Sequence, residues 1–507
     1  MGKRTVLLLT FIIAKFVMQY LLVNPEYELQ RDEFLHLDQA NHLAWGYVSV
    51  PPVTSWISLL IKLLGNTIFW IRFFPALFGA LTILAVWKSI EALKGNLFSL
   101  ILGATCVLFS SLLRLNILLQ PNSLDVLCWT AFCFVLIQYC NTEKAKWFYI
   151  GMTVLAVGFL NKYNVVFLIA GIFPALLLAK RSVFKDRQFY FSIGWFALLI
   201  LPNLIWQYQN NFPVYHHMQQ LAATQLVNVN RWDFLKEQLY FFMGSLFVIL
   251  AGLYALLFYL PFKAYAFFFW SLCFTLIIFI CLKAKGYYAI GLYPIYIAFG
   301  AIYMENLLQS GWKKYLQPVA ILCPVLFFIP FYKIGFPNKT PEYIVQHSAT
   351  YKKYGLLRWE DGKDHALPQD FADMLGWKEL ALKVDGVCSK LPNLDKTLIL
   401  CDNYGQAGAI NYYTKNKTIT AVSFNADYLN WFDLDKKYTN LIRIKEFKNS
   451  DRELKETSPF FENSKVAGTI TNALAREFGT TIFVFTNSKI DINQRISEEI
   501  TKERKFR

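Results

Sequence analysis

The sequence predicts a multi-pass α-helical membrane protein with a small α/β domain after its last span. Three observations predict it. Of the 507 residues, 55% are hydrophobic and 17% aromatic. The apolar residues collect in runs of about 17 to 25, the length a helix needs to cross a bilayer. From about Gly335 the long runs stop, and short strand-like and helix-like segments alternate between Gly, Pro and Asn. Disordered and collagen-like classes are excluded.

The elements follow in order. About eleven spans are expected, at roughly 5–23, 67–87, 97–114, 124–140, 147–161, 163–179, 189–206, 236–260, 264–282, 288–305 and 315–332. Val53–Gly65 is apolar but too short to cross, and reads as an interfacial helix. Met-Gly-Lys-Arg before Thr5–Val23 has signal-peptide charge, but the run is long and lacks a small-x-small cleavage site, so an uncleaved first helix is expected. In the tail, Lys396–Cys401, Leu441–Phe447 and Thr481–Phe485 read as strands, and Leu375–Leu391 and Asn403–Tyr413 as helices. The expected domains are 1–333, with a first outer loop at 24–66, and 334–507. No internal repeat or low-complexity linker is seen.

Charge gives the orientation. The net charge is +15, and residues 334–507 hold 26 Lys+Arg against 23 Asp+Glu. Most of the excess therefore lies between spans, where it signals topology and lipid head groups rather than nucleic acid. With a cytoplasmic N-terminus, every inside loop is basic: Lys3-Arg4, Lys88 and Lys94, Lys144 and Lys146, Lys180 to Arg187, Lys263, and Lys313-Lys314. An odd span count then places the first loop and the tail outside a cell (inner or plasma) membrane.

Nine cysteines are scattered without CxxC or Cys/His spacing and read as small apolar fillers. Cys388 and Cys401 are the only pair in the tail, and nothing in their spacing supports a disulfide between them. No metal-ligand spacing is evident. His36 and His42 lie four residues beyond Asp32 and Asp38, but no further clustered ligand accompanies them.

The segment Arg31–Pro52 carries the densest polar chemistry. Asp32 and Glu33 are adjacent, so on a helix they diverge by about 100°. One can face a site while the other orients it or caps the helix. A carboxylate here suits general-base work. Single cations end several spans on the outer side: Arg72, Arg114, Lys162, Arg231, Lys283 and Lys285. Such charges are candidates for a site, or else snorkel to head groups. Lys162 lies in Gly158-Phe-Leu-Asn161-Lys-Tyr163-Asn164, and Lys283-Ala-Lys285-Gly-Tyr287-Tyr288 ends the ninth span. Ammonium groups beside phenols suit a phosphate at the interface. Asn122 and Asp125 share another outer turn with Arg114. Trp206 and His216-His217 border the loop after span seven, where Trp206 with Tyr208 suits an aromatic belt and the two histidines beside other outer polar groups suit a functional role equally. Asp433-Leu-Asp435 has the spacing of nucleotide-sugar enzymes, but outside the cell no nucleotide sugar is supplied.

Taken in order, these motifs resemble the GT-C fold membrane glycosyltransferases, in particular glycosyltransferase family 39, with the bacterial relatives of protein O-mannosyltransferases and of the lipid A aminoarabinose transferase. The residues that carry the resemblance are Asp32-Glu33, His42-Leu-Ala-Trp-Gly-Tyr47-Val with Pro51-Pro52, Arg72-Phe-Phe-Pro75, Gly158 to Tyr163, Pro202 to Trp206, Lys285 to Tyr288 with Tyr293-Pro294, and Asn403 to Tyr413. The resemblance implies a polyprenyl-phosphate-linked sugar as donor, inverting transfer, no required cofactor, and Asp32 as base with Glu33 the acid beside it. From the outer-side cations and the phenols beside them, Lys162, Lys283, Lys285, Tyr287, Tyr288, Arg72 and Arg114 are the candidates for binding the donor phosphate and lipid. The polar and aromatic residues of the outer loops, His42, Tyr47, Asn122, Asp125, Asn161, Tyr163, Trp206, His216 and His217, are the candidates for substrate binding. Two positions depart from the family pattern. Val50 stands where some relatives carry Lys or His, which leaves that role to Lys162 or Lys285. Gln120-Pro-Asn-Ser stands where many carry Asp, which leaves that role to Asn122 or Asp125. Acceptors on a secreted protein's Ser or Thr, a glycan or a glycolipid all fit. The competing classes are a transporter or flippase of lipid-linked sugars, which calls for mid-membrane polar residues and repeats, and a non-catalytic scaffold.

Overall fold

The computed structural model describes residues 2–506 apart from 225 and 417. They divide into two compact units. The first holds the N-terminal residues to Leu22, Val50–Thr54 and Phe69–Phe336; the second holds Val23–Ser49, Ser55–Ile68 and the chain from Pro337. The first loop, expected with the spans, thus clusters with the tail.

The first unit is helical throughout, and each expected span falls on a helix or helix pair. Among the described residues, six helices are long and apolar enough to cross a membrane: Lys3–Leu21, Ile68–Ala92, Asn122–Thr142, Arg187–Gln209, Gly286–Leu308 and Gly311–Ile334. A seventh candidate, Arg231–Phe241 with Met243–Phe258, is bent by 65°. Leu97–Leu108, Lys146–Asn161, Val165–Ala179 and Phe267–Cys281 are shorter. A helix rises about 1.5 Å per residue, so a hydrocarbon layer of about 30 Å needs about 20 residues. The short helices therefore fall below a full crossing by themselves. Large side chains fill the interior, among them Trp87, Trp129, Tyr296 and Phe299. The helices Leu246–Phe258 and Tyr293–Leu308 meet backbone to backbone: a Cβ on Gly300 would lie 1.8 Å from the Val248 carbonyl oxygen, and one on Gly252 2.4 Å from that of Tyr296. Small residues permit this approach, as they do between helices in lipid.

The first helix is patterned inside out. Its buried residues are Lys15 and Gln19, while Leu9, Ile13 and Val17 are exposed. Lys15 donates to Gln19 one turn on, and Gln19 donates to the Leu113 carbonyl at 3.1 Å. A charge buried at a span is tolerable only with such partners. This cation is absent from the outer-side set read from the sequence, because it lies within an apolar run.

The second unit is built on a mixed five-stranded sheet, β1 (Thr397–Cys401), β2 (Ala421–Ser423), β3 (Asn440–Lys445), β4 (Phe461–Thr469) and β5 (Thr481–Ser488), in the order β2-β1-β3-β5-β4. β1 pairs parallel with β2 and β3, with Ile399 opposite Ala421 and Ile442. β5 runs antiparallel to β3 and β4. Every residue of β1 is buried, the continuous apolar run of a central parallel strand. β4 is an exposed edge, polar through Glu462 and Lys465, which discourages pairing with another chain. The expected helices appear as Trp377–Cys388 and Tyr404–Tyr413. Cys388 and Cys401 are both buried and free, so the disulfide does not form.

The first loop folds onto this domain. Gln30 and Glu33 make a capping box that starts the helix Arg31–Gln39: the Gln30 side chain accepts from the Asp32 N–H, and Glu33 accepts from the Gln30 N–H, each at 2.8 Å. Phe34 packs on Trp377, Tyr412 and Tyr413 with ring centroids 5.6, 5.9 and 5.7 Å away. The fit to Tyr404–Tyr413 depends on two glycines. A Cβ on Gly405 would meet Arg31 Cγ at 2.4 Å, and one on Gly408 would meet Phe34 Cβ and Tyr428 Oη at 2.7 Å. Val53–Gly65, expected at the interface, contains the helix Val53–Leu63.

Candidate active site

In the helical unit, three polar turns meet. The helix Lys146–Asn161 ends because Lys162 turns to extended backbone (φ −157°, ψ 127°). Asn161, fully buried, donates to the Pro121 carbonyl at 2.8 Å and ties this turn to the start of Asn122–Thr142. Lys162 Nζ then donates to Asn122 Oδ1 at 2.8 Å. It also stands 4.6 Å from the ring centroid of Tyr288 and 5.2 Å from that of Tyr287, in cation–π contact with both. One turn into its helix, Asp125 is buried. It accepts from Trp129 Nε1 at 2.9 Å and from Asn164 Nδ2 at 2.8 Å. Asn164 also donates to the Tyr288 carbonyl at 2.9 Å, which fixes the third turn. The charges acting on Lys162 are Asp125 and Lys285, the latter at the start of the turn Gly286–Leu292.

The structure thus brings together Asn122, Asp125, Asn161, Lys162, Tyr287 and Tyr288. Tyr163 adjoins them, donating to Asn203 at 3.1 Å and accepting from Gln207 at 2.8 Å. Other expected residues are held differently. Arg72 donates to the Ile117 carbonyl and Arg114 to that of Gly335. Lys283 takes left-handed backbone (φ 52°) where the preceding helix ends. Trp206 lies in the last turn of Arg187–Gln209, and His216 and His217 lie on Pro213–Thr224, a helix that buries none of its residues. The sequence assigns Asn164 no role; its two bonds make it the link between two turns.

In the second unit, the two acids of the first loop part ways. Glu33 is fully buried and spent on the helix start. Asp32 accepts from the Tyr404 hydroxyl at 2.6 Å, and Arg31 Nε lies 3.6 Å from the same oxygen. The Arg31 guanidinium stands 5.0 Å over the Tyr404 ring. Burial, with Asp32 beside it, pushes the Tyr404 phenol well above its usual value, so it stays a proton donor. Behind this pair, Arg476 Nη1 donates to both oxygens of Asp373, at 3.1 and 3.2 Å. Burial pushes the Asp373 carboxyl up to about 6. About a third of the Asp32 side chain, 34%, stays accessible.

His42 and Tyr47 belong to the same unit. His42 stacks on Trp431 at 4.3 Å, and the Tyr47 hydroxyl donates to the carbonyls of Gln39 and His42. His36 bonds Gln39, and Asp38 accepts from Asn41, Asn411 and Tyr428. Among the described residues, no group of three or more His, Cys, Asp or Glu could hold a metal. Asp433 pairs with Lys436 on the surface.

Comparisons with known proteins agree with this architecture. Residues 49–206 match the family model described as dolichyl-phosphate-mannose-protein mannosyltransferase. The chain is 27% identical over 224 residues to the lipid A galacturonosyltransferase RgtD of Rhizobium johnstonii, a match covering 42% of this chain and 46%, under half, of that relative. The crystal structure of ArnT from Cupriavidus metallidurans bound to undecaprenyl phosphate superimposes with a TM-score of 0.61 at 10% identity, over 95% of this chain and 98% of that one. Its apo form gives 0.60 at 11% identity over the same shares. The chain is a membrane protein with the GT-C fold of ArnT, and its residues 49–206 are similar to the dolichyl-phosphate-mannose-protein mannosyltransferases.

Proposed function

We propose that the chain is an inverting glycosyltransferase that moves a sugar from a polyprenyl-phosphate donor to an acceptor hydroxyl or phosphate on the extracytoplasmic side. For a hydroxyl acceptor, the O–H proton passes to the Asp32 carboxylate as the oxygen attacks the anomeric carbon. The bond from that carbon to the phosphate oxygen breaks, and polyprenyl phosphate leaves with one more negative charge. A developing anion of this kind is stabilised by prepositioned donors. The observation that carries the reading is Lys162: its ammonium lies beside two phenol-bearing rings, with Asn122 accepting from it at 2.8 Å. Three N–H groups on one ammonium leave room for phosphate oxygens in addition. Lys285 adds a second cation to the same turn system.

The comparisons support the substrate class. One relative is a lipid A galacturonosyltransferase, and one structural neighbour was crystallised with undecaprenyl phosphate. The basic inside loops support a first loop and tail outside the cell membrane. The test is direct: the purified full chain, given a polyprenyl-phosphate sugar and lipid A or a Ser/Thr peptide, releases polyprenyl phosphate. No release with any acceptor, together with donor movement across vesicles, would favour a flippase.

A further inference from the structure

The tail domain reaches the expected base through the Tyr404 hydroxyl. Tyr404 opens the helix Tyr404–Tyr413, and Asn403 caps that helix by accepting from the Gln406 N–H at 2.9 Å. Asn403 is itself held by Glu446 and Glu477, at 2.9 and 3.2 Å, and Gln406 by Glu477 at 2.6 Å. The start of the helix is therefore fixed by three bonds to two carboxylates. The Arg31 guanidinium of the first loop covers one face of the Tyr404 ring, and the Tyr404 hydroxyl ends 2.6 Å from Asp32 Oδ1. Gly405, the next residue, lets the Arg31 stem pass where a Cβ would meet it at 2.4 Å.

We infer that Tyr404 is a positioning residue for Asp32, so that the C-terminal domain completes the catalytic apparatus rather than accompanying it. This rests on Asp32 being the base. A phenol–carboxylate bond is charge-assisted and short, and it fixes the carboxylate rotamer. One oxygen is engaged by Tyr404 and Arg31, which orients the carboxylate for the acceptor hydroxyl. A base held loosely loses rate through misplacement even when its chemistry is intact.

The test compares turnover of polyprenyl-phosphate sugar by the full chain and its Tyr404→Phe, Tyr404→4-aminophenylalanine and Asp32→Asn variants, with melting temperature recorded for each. Tyr404→Phe keeps the ring and its contact with Arg31 but removes the donor. Its kcat should fall about 10- to 100-fold, the range for a hydrogen bond to a charged group, with donor KM within about twofold. The 4-aminophenylalanine variant, which restores an N–H donor, should recover much of the loss. Should Tyr404→Phe melt far below the wild type, the amino variant decides: recovery of both fold and turnover supports the inference, and recovery of fold without turnover overturns it. Wild-type kcat in Tyr404→Phe beside an inactive Asp32→Asn overturns this inference alone. Undiminished turnover by Asp32→Asn removes the base assignment and this inference together.

Discussion

In the helical unit, the groups around Lys162 come from three helix ends joined by short turns, and the bonded pairs Lys162–Asn122 and Asn164–Asp125 are 40 and 39 positions apart. In the second unit, Asp32 meets Tyr404 across 372 positions, on a nine-residue helix seated against another. The first arrangement joins the ends of helices that also pack along their apolar lengths. The second exists only while Arg31–Gln39 stays docked. A substitution at Lys162 should therefore change chemistry and spare the fold. A substitution in the docking face should damage fold and chemistry together.

The sharpest way to break this contrast is Lys162→Ala. Loss of its charge-assisted bonds should cost about 10- to 100-fold in donor turnover with an unchanged melting temperature. Lys162→Arg should rescue only in part, because a planar guanidinium cannot reproduce the ammonium's geometry. An Ala variant that unfolds would place Lys162 among the structural groups. Next in size is Gly408→Ala. Its methyl would crowd Phe34 and Tyr428, an overpacking expected to cost about 1–3 kcal/mol, seen as an earlier melt with lost turnover. Gly386→Ala is the control in the same domain. No atom lies within 4 Å of a Cβ there, and the helix should gain up to about 1 kcal/mol. Equal effects at the two glycines would contradict the docking account.

The smallest effect expected is pH dependence at His36. Burial, opposed by its bond to Gln39 and by Asp32, lowers its pKa below the usual 6.5. The folded state then resists a proton that the unfolded chain accepts. This contribution to stability is full above pH 6.5 and is lost as pH falls through the depressed value. His36→Gln should flatten that part of the stability–pH curve of the second unit, and an unchanged slope would show that another group titrates there.

Legibility follows the same division. Asn122, Asp125, Lys162 and the Tyr287-Tyr288 pair were readable because polar residues at the ends of apolar runs stand out, and neighbouring hairpins bring such ends together. Asp32 was readable as an acid but not in its partnership. Nothing local in Arg31–Pro52 points to Tyr404, and the seating of Phe34 on Trp377 and Tyr413 is a tertiary fact. The sequence leaves open which of Asp32 and Glu33 faces the site and which orients or caps, and the bond from the Gln30 N–H gives the cap to Glu33. Strands β1, β3 and β5 announced themselves by β-branched and aromatic runs, whereas β2 is three residues long and β4 is polar and exposed. Lys15 was invisible for the opposite reason to Lys162: it sits inside an apolar run rather than at its end.

The central claim is tested most directly by setting Asp32→Asn beside Glu33→Gln, with polyprenyl phosphate release and equilibrium donor binding measured on each full-length protein. Asn keeps the size of Asp32 and an acceptor for Tyr404, yet cannot take a proton. Turnover should fall by about 10²–10⁴-fold, the usual contribution of a positioned base, with donor binding retained. Gln at position 33 still accepts from the Gln30 N–H, so turnover should stay near that of the wild type. Near-normal release by Asp32→Asn beside an inactive Glu33→Gln would contradict the account, by making the buried capping acid the base.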